Sequence, residues 1–174
     1  MKQQAYLASD DSALLREKLR DRSGFSCLEI GAGNGGNLIE LAARFELAVG
    51  TDLVRPEKLE WRSRPGDFVL ADGASCFSDE SFDLVAFNPP YLPSETIQDV
   101  AVDGGRGGIE VPLFFLKEAL RVVKKGGRIL MLLSSQNSVE EIRQECSKSS
   151  FKLSLVAEKR LFYEKLSVYE ASPV

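Results

Sequence analysis

Two periodicities alternate along the chain. Apolar residues recur every three or four positions, as on one face of a helix, in residues 10–21, 34–45, 111–127 and 138–149. Short apolar runs typical of buried strands lie at residues 26–31, 47–53, 68–73, 82–88, 128–135, 151–160 and 165–171. The pattern therefore predicts four helices distributed among seven strands, with no helix between the last two strands.

Strands alternating with helices indicate an α/β protein with a Rossmann-like, doubly wound sheet that is mostly parallel. Because the last two strands follow each other directly, we expect an antiparallel strand near the C-terminal edge of that sheet. Gly126 and Gly127 follow two lysines and are predicted to close the third helix. No linker-like stretch divides the sequence, so residues 1–174 are expected to form one domain.

Composition narrows the classes of function. The 174 residues are 44% hydrophobic and 28% charged, as in an ordinary globular protein, and no apolar run reaches the ~20 residues of a membrane helix. The N-terminal residues lack the apolar core of a signal peptide, which favours a cytoplasmic protein. A net charge of −4 argues mildly against a protein that holds long nucleic acids by their phosphates.

The inventory of reactive side chains limits the chemistry. The sequence contains no histidine, the usual general base near neutral pH and the commonest metal ligand. Its three cysteines, Cys27, Cys76 and Cys146, are too far apart for a metal-binding pair. We therefore predict no metal site, and expect any catalysis to use carboxylates, amides, backbone groups or a cofactor.

Glycine, carboxylate and amide residues follow the predicted strands. In an open α/β sheet, ligands bind outside the carboxyl ends of the strands, where the strand order reverses. The residues that share this placement are Gly31, Gly33, Gly35, Asp52, Asp72 and Asn88. We expect all of them to border one crevice.

Two classes of cofactor fit the glycine loop taken alone. Residues 31–36 satisfy the G-x-G-x-x-G fingerprint of dinucleotide-binding proteins, and Asp52 is placed to bind a ribose in either class. Glu29 adds negative charge beside the loop, which suits the amino group and sulfonium of S-adenosylmethionine better than a pyrophosphate. Asp72 is placed to accept a hydrogen bond from an adenine amino group, although a turn residue is its plainer interpretation.

The segment Asn88-Pro89-Pro90-Tyr91 ends the fourth predicted strand abruptly. Proline has no N–H to donate to a sheet and restricts the residue before it, so the segment is stiff. The Asn88 side-chain oxygen and the Pro89 carbonyl can each accept one N–H of a planar NH₂ group, and Tyr91 can stack on that group. Such rigidity predicts a site at which Asn88 and Tyr91 are held in a fixed geometry before a ligand binds.

In this order, "EIGAGNG", "TDL", "ADG" and "NPPY" resemble a class I S-adenosylmethionine-dependent methyltransferase with the N-P-P-Y catalytic loop. "YLASDDSALL", from Tyr6, and "DGGRGG", residues 103–108, are similar to segments of the HemK-like protein glutamine N5-methyltransferases, in their short archaeal and eukaryotic branch. Ala8 stands where that family usually has proline. The N-terminal helical domain of the bacterial members has no counterpart in this sequence.

The resemblance implies an activity, a cofactor and two protein partners. S-adenosyl-L-methionine would be the methyl donor. The residues expected to bind it are Ser12, Glu29, Gly31, Gly33, Gly35, Asp52, Asp72 and Asn88. The glutamine of the Gly-Gly-Gln loop of a class 1 peptide release factor would be the acceptor, held by Asn88, Pro89, Pro90 and Tyr91. A small zinc-binding activator protein would form a heterodimer with the chain, and we expect the third strand, at the open edge of the sheet, to receive it.

The catalytic motif by itself leaves the acceptor open. Exocyclic amines of adenine or guanine also present a planar NH₂ group, and protein lysine is a further alternative. The acidic composition favours a protein acceptor over nucleic acid. The four glycines of residues 103–108 predict a mobile segment that closes over the target side chain.

Overall fold

The computed structural model describes residues 8–55 and 67–174. Its helices are α1 (Ala8–Leu19), α2 (Gly36–Ala42), α3 (Glu110–Val122) and α4 (Val139–Lys148), with a 3₁₀ turn at Arg106–Gly108. Its strands are β1 (Gly24–Ile30), β2 (Phe45–Asp52), β3 (Asp67–Leu70), β4 (Phe82–Phe87), β5 (Val123–Ser134), β6 (Phe151–Arg160) and β7 (Lys165–Pro173). Among these described helices, none is both long and apolar enough to cross a bilayer.

The seven strands form one sheet in the order β3-β2-β1-β4-β5-β7-β6. The first five strands in this order are mutually parallel, whereas β7 runs antiparallel to both of its neighbours. The predicted α/β class and the antiparallel C-terminal edge are therefore confirmed. Strand order reverses between β1 and β4, so their carboxyl ends border the topological switch point.

Side chains alternate between two hydrophobic clusters, one on each face of the sheet. Along β5, Ile129, Met131 and Leu133 join the cluster under α3 and α4, while Leu130 and Leu132 join the cluster under α1 and α2. All five side chains are fully buried. A central strand covered on both faces has this continuous apolar sequence, because successive residues point to opposite sides.

The prediction that Gly126 and Gly127 close the third helix is wrong. α3 ends at Val122, and Val123 already has extended backbone angles and pairs with Phe82 in the sheet. The register then shifts before Leu84, and a Cβ at Gly127 would lie 2.8 Å from the Asp83 carbonyl oxygen. Gly127 is therefore needed for the close approach of two strands at an irregularity in the sheet.

Candidate active site

A cleft of about 450 Å³ opens at the carboxyl ends of the parallel strands, within the size range of small-molecule sites. Four strand ends contribute to its lining. The predicted residues found there are Gly31, Gly33, Asp52, Asp72, Asn88 and Pro90. The structure thus brings together six residues that are spread over 60 positions of sequence, counting from Gly31 to Pro90.

The glycine loop follows β1 in conformations that glycine adopts readily. Gly31, Gly33 and Gly35 have φ values of 70°, 53° and 86°. A Cβ at Gly33 would meet no atom within 4 Å, so the loop backbone faces open space at the cleft. Gly35 does not line the cleft but caps α2, and its N–H donates to the Ala32 carbonyl at 2.8 Å.

Asp52, the last residue of β2, is held by the backbone around it. Its Oδ2 accepts the Gly33 N–H at 2.9 Å, and its Oδ1 accepts the Val54 N–H at 3.1 Å. Each carboxylate oxygen has further lone-pair capacity, so Asp52 can still accept hydrogen bonds from a ligand. Because both oxygens are fixed, that second pair of bonds has a set direction.

Asp72 is a turn residue that also lines the cleft, and its hydrogen bond to an adenine amino group stays a prediction. Its carbonyl accepts the Ser75 N–H at 3.1 Å and so forms the turn after β3. The residue also lines the cleft. Gly73 beside it has a φ of 58°, and a Cβ there would lie 3.1 Å from atoms of Phe114 and Glu118. The turn is therefore packed tightly against α3 while Asp72 borders the cleft.

Glu29 lies in β1 beneath the glycine loop and does not line the cleft. It is 2% exposed, and its Oε1 accepts a hydrogen bond from Asn37 Nδ2 at 2.9 Å. Burial raises the pKa of Glu29 to about 8, against the lowering effects of Asn37 and of the Arg16 charge. Its Oε2 accepts no hydrogen bond within the described residues, and a contact with the cofactor stays a prediction.

Asn88 follows β4 and lines the cleft. Its Oδ1 is shielded from solvent, yet no donor in the described ranges reaches it. Pro89 is buried, and among the described residues its carbonyl likewise accepts no hydrogen bond. Pro89 is not among the residues that line the cleft, so joint binding of an NH₂ group by Asn88 and Pro89 stays a prediction.

Tyr91 is placed differently from the prediction. The residue is 6% exposed and packs in the hydrophobic cluster that contains Leu15, Leu84 and Leu130, and it is not among the residues that line the cleft. Stacking of its ring on an acceptor group stays a prediction. Ser12 lies in α1, but its side chain is outside the described part of the chain, as is the whole of Tyr6.

Several cleft residues had no signal in the sequence. Phe115 of α3 packs edge-on against Phe87 at a centroid distance of 5.9 Å and lines the cleft. Leu53 and Val54 border it after β2, and Asp99–Ala101 lie at its rim. The helical periodicity identified Phe115 only as an apolar position in α3, because periodicity does not distinguish core from cleft.

The rim residues belong to a loop that closes on itself. Its base is joined by hydrogen bonds from the Leu92 N–H to the Val102 carbonyl at 3.0 Å and from the Gly104 N–H to the Leu92 carbonyl at 2.8 Å. Asp103 accepts two backbone N–H groups, from Gln98 and Asp99, and these lower the pKa of its carboxyl group. The loop is thus organised by its own backbone before any ligand binds.

Comparisons with known proteins agree with this geometry. A family model described as a methyltransferase domain matches residues 28–131. A protein of Methanocaldococcus jannaschii with the provisional name protein N5-glutamine methyltransferase is 30% identical over 97% of this chain and 91% of its own length. The release factor glutamine methyltransferase of Caulobacter vibrioides is 29% identical over 62% of this chain and 44% of its own length.

Solved structures give the same picture. The Mtq2–Trm112 complex of E. cuniculi, described as responsible for methylation of the translation termination factor eRF1, has a chain that is 25% identical, with a TM-score of 0.79 over 97% of this chain and 98% of its own. Magnesium protoporphyrin IX methyltransferase of Synechocystis with bound SAH, at 14% identity, shares the fold, with a TM-score of 0.64 over 100% of this chain and 90% of its own.

Proposed function

This chain belongs to the methyltransferase domain family and, within it, to the HemK-like protein glutamine methyltransferases, and on that premise we propose its reaction. The chain is an S-adenosylmethionine-dependent N-methyltransferase. Its acceptor is the glutamine side-chain amide in the Gly-Gly-Gln loop of a class 1 peptide release factor. These relatives favour glutamine over the nucleic-acid amines and the lysine that the motif alone left open.

The observation that carries this proposal is the unpartnered Oδ1 of Asn88. A buried acceptor without a hydrogen bond costs about 1–3 kcal/mol, so its persistence at a cleft indicates that a ligand supplies the donor. A primary amide has two N–H donors in one plane. Asn88 Oδ1 and the Pro89 carbonyl are the two acceptors that this plane requires.

The role of the two acceptors follows from the electronic structure of an amide. Its nitrogen lone pair is delocalised into the carbonyl group, which makes the nitrogen a poor nucleophile. When both N–H groups are bound, the nitrogen is held in one orientation and its lone pair can turn toward the incoming methyl group. Pro89 and Pro90 restrict the backbone that carries both acceptors, so little orientational freedom is lost during the reaction.

S-adenosylmethionine supplies the methyl group as a sulfonium. The described residues fit such a ligand: Gly33 opens onto space, Asp52 is oriented by two N–H groups, and Asp72 borders the cleft. In our proposal Asp52 accepts hydrogen bonds from the ribose hydroxyls and Asp72 from the adenine amino group. Gly31 and Gly33 let the backbone approach the ligand closely, while Gly35 shapes the turn that follows.

The chain acts with a small activator protein of the Trm112 type, by analogy with the E. cuniculi complex. We propose that this partner covers β3, which in the described sheet pairs only with β2. That edge exposes the large apolar side chain of Leu70, which is more than half exposed. Adding a strand there would satisfy the backbone and cover this apolar surface.

Two further points complete the proposal. Every described strand lies in one sheet, which supports the treatment of residues 1–174 as a single methyltransferase domain. A release factor substrate places the reaction with the translation machinery, in the cytoplasm.

Methyl transfer from labelled S-adenosylmethionine to purified release factor tests the function. The chain, co-expressed with its activator, should label the release factor, and peptide mass spectrometry should find one methyl group on the loop glutamine. A release factor with that glutamine replaced is the matched control and should remain unlabelled. Label on RNA that RNase removes would instead identify a nucleic-acid amine as the acceptor.

A further inference from the structure

Asn137 lies in the turn between β5 and α4 and is 7% exposed. Its Oδ1 accepts the Ser134 N–H at 3.0 Å, and its own backbone N–H donates to the Ser134 carbonyl at 3.0 Å. These two bonds fix the residue within its own turn. They leave the two N–H groups of the side-chain amide to bind elsewhere.

Both of those donors bind distant backbone. Asn137 Nδ2 donates to the Gly108 carbonyl at 2.8 Å and to the Tyr91 carbonyl at 3.2 Å, across 29 and 46 positions of sequence. The opposite orientation of the amide would set an oxygen against two carbonyl oxygens, so the contacts determine the orientation. One buried side chain thus joins three segments, among them the one that carries Asn88.

The glycines of residues 103–108 allow this junction to form. A Cβ at Gly104 would lie 2.8 Å from the Tyr91 Cα and 2.9 Å from the Pro90 carbonyl oxygen, and a Cβ at Gly108 would overlap the Tyr91 carbonyl. Gly104 and Gly108 are both buried. Close packing against Pro90 and Tyr91 accounts for glycine at these two positions, and mobility of residues 103–108 stays a prediction.

We propose that Asn137 is a positioning residue for methyl transfer. It does not line the cleft, so it acts through the Tyr91 carbonyl. Pro89 and Pro90 have fixed φ angles, which means that a shift of Tyr91 passes along the backbone to the acceptors of Asn88 and Pro89. This inference rests on the proposed role of Asn88.

The substitution Asn137→Asp separates the acceptor function of this side chain from its donor function. A carboxylate still accepts the Ser134 N–H but donates nothing to the Tyr91 and Gly108 carbonyls. In the complex with activator, we expect kcat for release factor methylation to fall at least tenfold, while the Kd for S-adenosylmethionine changes less than twofold. The matched control is Gln136→Ala, in the same turn, which should keep the wild-type kcat.

A pH profile adds a readout that a purely structural role would not change. Burial and the two facing carbonyls favour the protonated form of an aspartic acid at position 137, and that form has one O–H donor. The ratio of N137D activity to wild-type activity should therefore rise as the pH is lowered from 8 to 6. Circular dichroism at each pH checks that both proteins are folded.

The outcomes separate this inference from the function beneath it. Absence of methyl transfer by the wild-type complex would overturn the proposed function, and an active Asn88→Ala variant would overturn the role of Asn88. If Asn88→Ala is inactive while N137D has wild-type kcat, or loses cofactor affinity in parallel, the positioning role is wrong. If N137D does not fold, Gly108→Ala tests the packing of residues 103–108 against Tyr91, and Gly107→Ala is its control.

That second pair of variants is closely matched. Gly107 and Gly108 have φ values of 62° and 67°, so alanine strains the backbone equally at both. Only at Gly108 would the added methyl group meet Tyr91, since a Cβ at Gly107 meets no atom within 4 Å. A tenfold lower kcat in G108A than in G107A is expected, and equal values would overturn the proposal.

Discussion

We divide the cleft into a proposed cofactor half, which contains Asp52, and a proposed acceptor half, which contains Asn88. The two halves differ in the hydrogen bonds that the described residues already supply. In the cofactor half, both carboxylate oxygens of Asp52 already hold backbone N–H groups. In the acceptor half, Asn88 presents a buried oxygen that holds none from the described residues. In our proposal Asp52 is oriented by the protein before the cofactor binds, whereas the NH₂ group of the acceptor supplies the hydrogen bond that Asn88 Oδ1 lacks.

In the proposed function, this difference would make the acceptor half the source of the selectivity of the enzyme. A buried acceptor favours any ligand that supplies the missing N–H and penalises one that does not, because desolvation without a hydrogen bond is unfavourable. The cofactor half needs only to hold its ligand in place. Substitutions in the two halves should accordingly affect kcat and cofactor affinity separately.

Asn88→Ala should have the largest effect. It removes one of two acceptors from the nucleophile, and losses of a single preorganised hydrogen-bonding group in active sites reach about a hundredfold in kcat or more. Cofactor affinity should change little. Asn88→Asp should also be impaired, because it adds charge beside the reacting groups. Single-turnover methyl transfer measures the first effect, and calorimetric titration measures cofactor affinity. A near-wild-type kcat in N88A would contradict the proposed role of Asn88 in the acceptor half.

Asp52→Ala should show the opposite pattern. Two charge-assisted hydrogen bonds to a ribose are lost, each about 1.5–3 kcal/mol, so S-adenosylmethionine should bind at least about tenfold more weakly. At saturating cofactor the variant should recover much of its kcat. Unchanged affinity for S-adenosylmethionine, with binding of a nicotinamide dinucleotide instead, would contradict the assignment of this half.

Leu70→Pro tests whether the activator adds a strand at the edge of β3. The Ala71 N–H donates to the Asp52 carbonyl of β2. Because alternate residues of a parallel strand face the same neighbour, the Val69 N–H also faces β2. The Leu70 N–H therefore faces the open edge. Proline at Leu70 should weaken activator binding by about tenfold, measured by titration.

Leu70→Ala is its control, because it removes the same exposed side chain and keeps the N–H. Proline at Val69 would instead break the pairing with β2, and would report on stability rather than on the partner. Equal activator affinity in L70P and L70A would show that the partner does not add a strand at β3.

Glu29→Gln should have the smallest effect, on stability. Between the ordinary pKa of 4.5 and the folded value of about 8, the folded chain keeps a proton that the unfolded chain releases. The free energy of unfolding of the wild type should therefore fall as the pH rises through this window, by about 1 kcal/mol per pH unit. The free energy of unfolding of E29Q, measured in urea, should lack that dependence on pH. Glu17→Gln, at an exposed position, is the control and should retain it. If the free energies of E29Q and wild type changed in parallel with pH, Glu29 would not be a buried neutral carboxyl group.

The sequence determined the positions that depend on backbone chemistry. Asp52 and Asn88 were located because parallel strands end at one edge, and Gly31 and Gly33 because tight turns need positive φ. Asn137 was missed because no motif marks it, and its partners are known only once three segments pack together. The burial of Tyr91 in the hydrophobic cluster could not be predicted for the same reason, and stacking of its ring on an acceptor group stays a prediction.

The position of β5 in the sheet has a consequence for the rate of amide hydrogen exchange. Residues 129–134 of this strand lie between β4 and β7, are buried on both faces, and lead directly into the turn that holds Asn137. Their amide hydrogens should exchange with solvent only when the whole sheet opens. The turn that holds Asn137 therefore begins at the part of the sheet that we expect to exchange most slowly.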